Sequence, residues 1–246
     1  MNYRVSQLAE ILNVRDYNQR LSDVNILHIE TDSRYIMHPA TSVFFALHGL
    51  QNDGHAFISE CIEKGIRVFV VSNYEHVPDD RLCFLRVADV LKALQKLASY
   101  HRSKFLIPVI GITGSNGKTI VKEWLAGILQ SRFQVCKNPK SYNSQLGVAL
   151  SVLELNEGHE LAIFEAGISK VGEMDALREI IQPTHGILTN IGDAHQAGFS
   201  GTDEKTREKL RLFEGVQKLI YCKDYQSIDH HRKNHLNNLS WSQKLP

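Results

Sequence analysis

The sequence predicts an α/β protein of two domains, a small α/β domain followed by a doubly wound domain with a phosphate-binding loop. Three observations lead to this fold class. Short apolar strands alternate with amphipathic helices in the first hundred residues, apolar strands end in polar residues from position 105 onward, and a glycine loop at 111–119 joins a strand to a helix. The 246 residues suffice for two cores, and the polar patch at 101–104 places the boundary between domains 1–103 and 104–246.

The elements of the first domain follow from local patterns. Apolar residues at helical spacing predict helices, and runs rich in β-branched and aromatic residues predict strands. The predicted order is a helix at 5–13, strands at 26–31 and 43–47, a helix at 56–64, strands at 67–72 and 83–87, and a helix at 89–102.

The second domain is predicted from longer apolar segments. A strand at 105–110 precedes the glycine loop, and a helix follows it, since Val121, Leu125 and Leu129 recur at helical spacing. A polar loop at 138–144 leads into a helix at 145–155, and none of the loop's side chains stands out by local pattern. Strands are predicted at 161–164, 186–188 and 218–222, and a polar helix at 225–235.

The glycine loop, with the sequence GITGSNGKT, has the composition of a phosphate cradle. Glycines let the backbone approach an anion, the helix N-terminus presents N–H groups to it, Lys118 supplies a positive charge, and Thr119 can ligate magnesium. The loop departs from the strict Walker pattern at Ile112, where that pattern has glycine. Nucleotide binding is predicted over the alternative of a glycine turn with an incidental Lys-Thr pair.

Polar residues at three strand ends are expected to meet beyond the carboxyl edge of the sheet, where ligands bind in doubly wound folds. They are Lys118 and Thr119 in the loop, Glu165 after the next strand, and Asn190 and His195 after the third. A carboxylate behind an apolar strand is costly unless it holds a cation, so Glu165 and Thr119 are predicted to hold magnesium. The alternative is a solvated strand-end acid.

Two further residues are ambiguous on pattern alone. His195 lies in a loop, and by itself a loop histidine is more often an ordinary surface residue. Lys209 lies in the charged run at 203–209, which is typical of the solvated face of a helix.

Composition narrows the class of partner. Charged residues make up 22% of the chain, with 28 basic against 27 acidic, so no overall field attracts nucleic acid or a membrane surface. The N-terminus has no apolar segment of signal-peptide length, and a cytoplasmic protein with a small soluble substrate or a protein partner is expected. The cysteines are far apart without a CxxC pair, which predicts buried thiols: Cys61, Cys83, Cys136 and Cys222.

Taken together, these segments resemble the Mur ligases of peptidoglycan synthesis, over nearly the whole chain. TDSRYI and FFALHGLQNDGHAFI are similar to the UDP-sugar-binding N-terminal domain of that family, and GITGSNGKT is similar to its ATP loop. FEAGISKVGEMDAL resembles the family's glutamate strand and the helix after it, and LTNIGDAH resembles the segment with an adenine-side asparagine and a metal-binding histidine.

The resemblance implies a role for each matched position. ATP would be bound by Gly114, Ser115, Asn116, Gly117, Lys118, Thr119, Asn143 and Asn190. A first magnesium would be held by Thr119 and Glu165, and a second by His195, with Lys209 directed toward that second ion as a carbamate. The catalytic residues would be Lys118, His195 and Lys209, and the UDP-sugar would meet Ser33, Arg34, Asp53 and His55.

The implied activity is an ATP-dependent, ADP-forming peptide ligase that adds D-alanyl-D-alanine to UDP-N-acetylmuramoyl-tripeptide through an acyl phosphate. The alternatives are the sister ligase that adds the third peptide residue, which TNIGDAH and the GEM segment disfavour, and a module that binds UDP-sugar or nucleotide without ligation. A regulatory P-loop GTPase is disfavoured because the sequence has no NKxD segment.

The sequence departs from the family pattern in two segments. The family's GNxNN loop is KSYNS here, so Asn143 alone matches it, and EMGA is EAGI at 165–168. Both departures resemble members fused to a downstream alanine racemase. The family's central domain continues beyond the length present here and precedes a third domain, so an N-terminal part of a longer ligase, inactive alone, is expected.

Overall fold

The computed structural model describes residues 1–49, 52–75, 79–192, 198–231 and 238–242. The chain divides into two compact units, Met1–Tyr100 and His101–Pro246. Helices alternate with strands of parallel sheets in both units, which confirms the predicted α/β class. In the described ranges, none of the helices has the length and apolar character needed to cross a bilayer.

The first unit is a small parallel sheet flanked by helices. Its strands are β1 (Tyr3–Arg4), β2 (Asn25–Ile26), β3 (His28–Glu30), β4 (Ser42–Phe45), β5 (Val68–Val71) and β6 (Cys83–Arg86). Its helices are α1 (Val5–Leu12), α2 (Ile58–Glu63) and α3 (Val90–Ser103), the last continuing into the second unit. The sheet has the order β3-β4-β5-β6, and β1 pairs with β2 separately.

Burial explains why β4 and β5 were predictable while the strand at 26–31 was not. Every residue of β4 and β5 is buried, as expected for parallel strands covered on both faces. The segment predicted as one strand at 26–31 is instead two strands. Its first residues pair with β1 and its later ones with β4, so the chain changes sheets at Leu27.

The second unit is a six-stranded parallel sheet. Its strands are β7 (Val109–Thr113), β8 (Val135–Lys137), β9 (Leu161–Glu165), β10 (His185–Leu188), β11 (Lys218–Cys222) and β12 (Asn238–Trp241). Its helices are α4 (Lys118–Leu129), α5 (Gln145–Val152), α6 (Glu173–Ile181), α7 (Thr202–Leu210) and α8 (Gln226–His231). The order is β12-β11-β10-β7-β9-β8, so the chain fills one side of β7 and then the other. This reversal beside β7 is where a doubly wound sheet forms its ligand crevice.

Both faces of this sheet are covered. On one face Ile112 and Ile163 pack with α4, whose Val121, Leu125 and Leu129 point inward. The other face requires glycines, because a Cβ atom at position 186 would lie 2.4 Å from a ring carbon of Phe213. The four cysteines are all buried, as predicted.

The strand before the glycine loop begins later than predicted. It was placed at 105–110, but β7 starts at Val109 and runs to Thr113. Pro108 has no N–H to give to a ladder, which accounts for the start. Gly111 is therefore a strand residue, and the loop begins at Gly114, whose φ is 150°.

Candidate functional site

The loop at 114–117 connects the central strand β7 to the N-terminus of α4. Gly114 and Gly117 both have positive φ, 150° and 79°. A Cβ atom at Gly114 would lie 2.0 Å from Oγ1 of Thr189, so only glycine fits there. The first N–H groups of α4 have no partners within the helix, a feature of helix N-termini that suits an anion.

The loop is hydrogen-bonded to the segment that follows β10. Ser115 N–H donates to the Asn190 carbonyl at 2.9 Å, and Asn116 N–H donates to Asn190 Oδ1 at 2.9 Å. Thr189 Oγ1 donates to the Asn116 carbonyl at 2.6 Å. Ser115 Oγ donates to the Gly192 carbonyl at 3.0 Å and accepts from Gly192 N–H at 2.9 Å. Asn190 therefore lies against the loop and accepts hydrogen bonds from two of its backbone N–H groups.

Two lysines donate to the loop, and a third donates to the segment after β10 that is bonded to the loop. Lys118 Nζ folds back to the Gly114 carbonyl at 3.0 Å, and Lys209 Nζ from α7 donates to that same carbonyl at 3.1 Å. Lys205, one turn earlier on α7, donates to the Gly192 carbonyl. Lys205 and Lys209 are 1% and 2% exposed, so the prediction of a solvated helix face at 203–209 is wrong for these two residues.

Burial and like charges shift the pKa values of these amines. Burial lowers the pKa of Lys118, with a contribution from Lys205 that Glu165 opposes. Burial, then the charges of Lys118 and Lys205, lower the pKa of Lys209 to about 7. Near neutral pH, Lys209 is therefore an unprotonated and nucleophilic amine for much of the time.

Glu165 ends β9 with a fully buried carboxylate, which excludes the solvated-acid alternative. Its Oε1 accepts hydrogen bonds from Thr119 Oγ1 at 3.1 Å and from Asn143 Nδ2 at 2.9 Å. Its Oε2 is buried and receives no hydrogen bond from the residues that the structure describes. A buried carboxylate oxygen without a donor, beside a threonine hydroxyl, is a donor set that fits magnesium.

Two buried residues of this site were missed from the sequence. Asn138 bridges the backbone of Glu165 and the 138–143 loop, and Lys122 of α4 lies against the Glu165 carboxylate. Nothing in the polar loop distinguished Asn138. Lys122 could have been found, because it lies beside Val121 and one turn before Leu125 and Ala126, on the apolar face of the helix.

The structure brings together the predicted residues Gly114, Ser115, Asn116, Gly117, Lys118, Thr119, Asn143, Glu165, Asn190 and Lys209. His195, the remaining predicted residue of this site, lies outside the described residues. The roles of all these residues stay predictions.

In the first unit, Ser33 and Arg34 lie after β3. Ser33 Oγ donates to Glu60 Oε2 at 2.9 Å, and Lys64 Nζ donates to the Ser33 carbonyl at 2.7 Å. The Arg34 guanidinium pairs with Asp32 at 2.6 Å, and the Arg34 side chain is exposed while that of Asp32 is half-buried.

Asp53 and His55 lie after β4, at the same edge of the sheet. Asp53 Oδ1 accepts from the His55 backbone N–H at 3.0 Å and lies 2.6 Å from its ring Nδ1. His55 Nε2 accepts from the Ser72 N–H at 3.0 Å, which assigns the proton to Nδ1. His48 Nδ1 also approaches Asp53, at 3.3 Å. Because both ring nitrogens of His55 are engaged, this trio is a hydrogen-bonded cluster rather than a metal site.

In the second unit, a glycine turn joins a central parallel strand to a helix, and a lysine and a hydroxyl follow the turn. This arrangement places the unit among P-loop nucleotide-binding proteins. Comparisons with known families make the class specific. The Mur ligase middle domain matches residues 112–244, and the catalytic domain of the Mur ligase family matches residues 25–102. The chain therefore belongs to the Mur ligase family.

Individual relatives point to one branch of that family. The chain is 30% identical over 223 residues to the UDP-N-acetylmuramoyl-tripeptide–D-alanyl-D-alanine ligase of Bacillus subtilis, covering 89% of this chain and 48% of the relative. It is 38% identical over 179 residues to the ligase of the same name from Borreliella burgdorferi, covering 70% and 38%. The chain thus spans about half the length, or less, of the curated relatives it matches.

Solved structures agree with this assignment. A crystal structure of MurF from Acinetobacter baumannii superposes with a TM-score of 0.88 at 29% identity, covering 99% of this chain and 53% of that one. MurF ligase from Thermotoga maritima in complex with ADP superposes with a TM-score of 0.79 at 26% identity, covering 89% and 51%.

Proposed function

We propose that the protein acts in the ATP-dependent, ADP-forming addition of D-alanyl-D-alanine to UDP-N-acetylmuramoyl-tripeptide, a cytoplasmic step of peptidoglycan precursor synthesis. The observation that carries the proposal is the loop at 114–119, with Lys118 folded onto it and Thr119 bonded to the buried carboxylate of Glu165. The names of the relatives support the choice of substrates, and the Thermotoga maritima complex with ADP supports the nucleotide.

The chain's own residues would bind and orient the nucleotide. Backbone N–H groups at the start of α4 and the Lys118 ammonium would hold the phosphates, while Asn190 keeps the loop in shape. Thr119 and Glu165 would hold one Mg²⁺, and His195 and the carbamate of Lys209 would hold a second. Bound there, Mg²⁺ would offset negative charge on the transferring phosphoryl group.

The reaction would proceed in two displacements. An oxygen of the peptide's terminal carboxylate attacks the γ-phosphorus of ATP, and ADP leaves. The amine of D-alanyl-D-alanine then attacks the acyl carbon, phosphate leaves, and the amine loses a proton. The Lys118 ammonium would offset the repulsion between the two anionic reactants, the ATP phosphates and the peptide carboxylate. A charge that the fold holds in place, partly shielded from water, is effective in this role.

Lys209 is suited to carbamoylation. Its unprotonated amine would attack the carbon of CO₂, form an N–C bond and release a proton, which yields a carbamate anion facing the loop. The lowered pKa of about 7 supports this proposal because only the neutral amine is a nucleophile.

The first unit would take the UDP-sugar. Ser33, Arg34, Asp53 and His55 follow neighbouring parallel strands at one edge of their sheet, and Arg34 is exposed to solvent and suited to a phosphate. Tight bonding of His55 to Asp53 and Ser72 indicates that His55 shapes the loop backbone for the ligand.

Calorimetric titration of this chain with ADP tests the nucleotide site, and ADP release by the full-length ligase in the presence of both substrates tests the activity. Lys118→Ala should abolish ADP release and weaken ADP binding, while Lys218→Ala, at an exposed lysine of the same unit, should change neither. Unchanged nucleotide binding by Lys118→Ala would contradict the site. Turnover with UDP-linked dipeptide and a diamino acid, but not with tripeptide and D-alanyl-D-alanine, would instead identify the sister ligase.

A further inference from the structure

Lys122 is a buried cation in the second turn of α4, one turn after the nucleotide loop. Its side chain has no exposure to solvent. An ammonium group in such a position is strongly destabilising unless charge and hydrogen bonds compensate it. The groups that contact the Lys122 ammonium therefore indicate its role.

The ammonium group is directed at one loop and one carboxylate. Its Nζ donates to the Asn138 carbonyl at 2.8 Å and to the Lys140 carbonyl. It lies 3.5 Å from Glu165 Oε2 and 3.3 Å from Glu123 Oε1. Glu123 is half-exposed and bonds Lys137, so Glu165 is the buried charge that Lys122 compensates.

The same loop holds the other side of Glu165. Asn138 Nδ2 donates to the carbonyls of Glu165 and Tyr142, at 3.0 and 2.8 Å. Asn143 Nδ2 donates to Glu165 Oε1 at 2.9 Å. Lys140, between them, has a positive φ of 49°, a costly conformation for a lysine that surrounding contacts must hold.

We infer that Lys122 is a positioning residue, which fixes the 138–143 loop and orients Glu165 so that Oε2 stays open to a divalent cation. The inference rests on the proposed nucleotide site. At 3.5 Å the ammonium attracts Oε2 without a short hydrogen bond, so the lone pairs of that oxygen remain available. Its two carbonyl contacts keep Asn143 where it binds Oε1.

The test compares Lys122→Met with Lys137→Met. Methionine keeps the length of the buried chain and removes the charge, and Lys137 is a neighbouring lysine that pairs with Glu123 instead of Glu165. ADP affinity is measured by calorimetry with Mg²⁺ and with EDTA. Lys122→Met should lose about 10-fold or more of the Mg²⁺-dependent gain in affinity, the loss typical of outer-shell changes at metal sites. Its affinity for metal-free ADP should stay within about 2-fold, because the phosphate loop is untouched.

Two readouts without nucleotide separate this inference from the proposed function. Hydrogen exchange at the amides of Glu165 and Gly167, which bond Asn138 Oδ1 and the Asn143 carbonyl, should be faster in Lys122→Met than in Lys137→Met. The double variant Lys122→Met/Glu165→Gln should regain most of the Tm lost by Lys122→Met, because no uncompensated charge is left.

The outcomes are distinct. A full Mg²⁺ effect in Lys122→Met would overturn the inference even if its Tm fell, since burial alone would then explain the residue. If the unaltered protein failed to bind ADP, the proposed function would fail. The exchange rates and the double variant would still decide whether Lys122 holds Glu165 and its loop.

Discussion

Replacement of Asn138 by alanine is expected to destabilise the second unit by about 4 kcal/mol. The Asn138 side chain is fully buried and makes three hydrogen bonds: to the Glu165 carbonyl at 3.0 Å, to the Tyr142 carbonyl at 2.8 Å, and from the Glu165 N–H at 3.0 Å. Each buried polar group that loses its partner costs about 1–3 kcal/mol. The backbone N–H and carbonyl of Glu165 are buried, and leaving both without partners costs about 4 kcal/mol of folding free energy. The half-buried Tyr142 carbonyl can instead bond to water.

Urea unfolding followed by circular dichroism measures this loss, and calorimetry should show a Tm lower by roughly 8–16 °C. Asn156→Ala is the matched control, because Asn156 is exposed and the hydrogen bonds of its side chain stay within 154–158. It should cost about 1 kcal/mol or less. If Asn138→Ala cost no more than Asn156→Ala, Asn138 could not be what holds Glu165 in place.

Three further variants test the site and its helix. Because the pKa of Lys209 is lowered to about 7 from 10.5, the unfolded chain binds more protons than the folded one between these values, and stability rises with pH there. Lys209→Met should remove up to roughly 1.4 kcal/mol of this gain per pH unit in urea unfolding at pH 7 and 9, and an unchanged slope would contradict the assignment. Gly114→Ala should lower both Tm and ADP affinity, because its Cβ would lie 2.0 Å from Thr189 Oγ1; an alanine variant with full affinity would show that the loop tolerates a side chain. Gly127→Ala, in α4 with open space around it, should instead stabilise the protein by about 0.5–1 kcal/mol, seen as a higher Tm.

Elements with a strong period or a continuous apolar run were predictable from the sequence. The segment at 218–222 is β11 as predicted, and α4 follows the glycine loop as its spacing requires. The missed strands are short: β1 has two residues, β8 has three and β12 has four. Such segments are strands because a neighbour pairs with them, and no local pattern carries that information.

Residues of the candidate site were predictable where both the residue type and its place in the strand–loop–helix unit indicate one chemical role. Lys118, Thr119 and Glu165 are of this kind, and they lie together. Lys122 and Lys205 were not recognised because a lysine on a helix is most often solvated. The place of Lys122 on the apolar face of α4 was an available signal, whereas only tertiary packing reveals that Lys205 is buried. The local sequence shows that a residue is charged, but it does not show how deeply the folded protein buries that residue.

The three lysines around the loop connect the stability of the second unit with the proposed binding of nucleotide. Lys118 and Lys209 donate to one carbonyl, that of Gly114, and Lys205 is near enough to lower the pKa values of both. Gathering ammonium groups in a site screened from water opposes folding, and Glu165 offsets this only in part for Lys118. A nucleotide phosphate would reverse the sign of the interaction for Lys118, because the ammonium group beside the loop would then gain an opposite charge at short range. At the proposed nucleotide site, phosphate should therefore stabilise the second unit, as expected where a fold keeps locally unfavourable charges for binding.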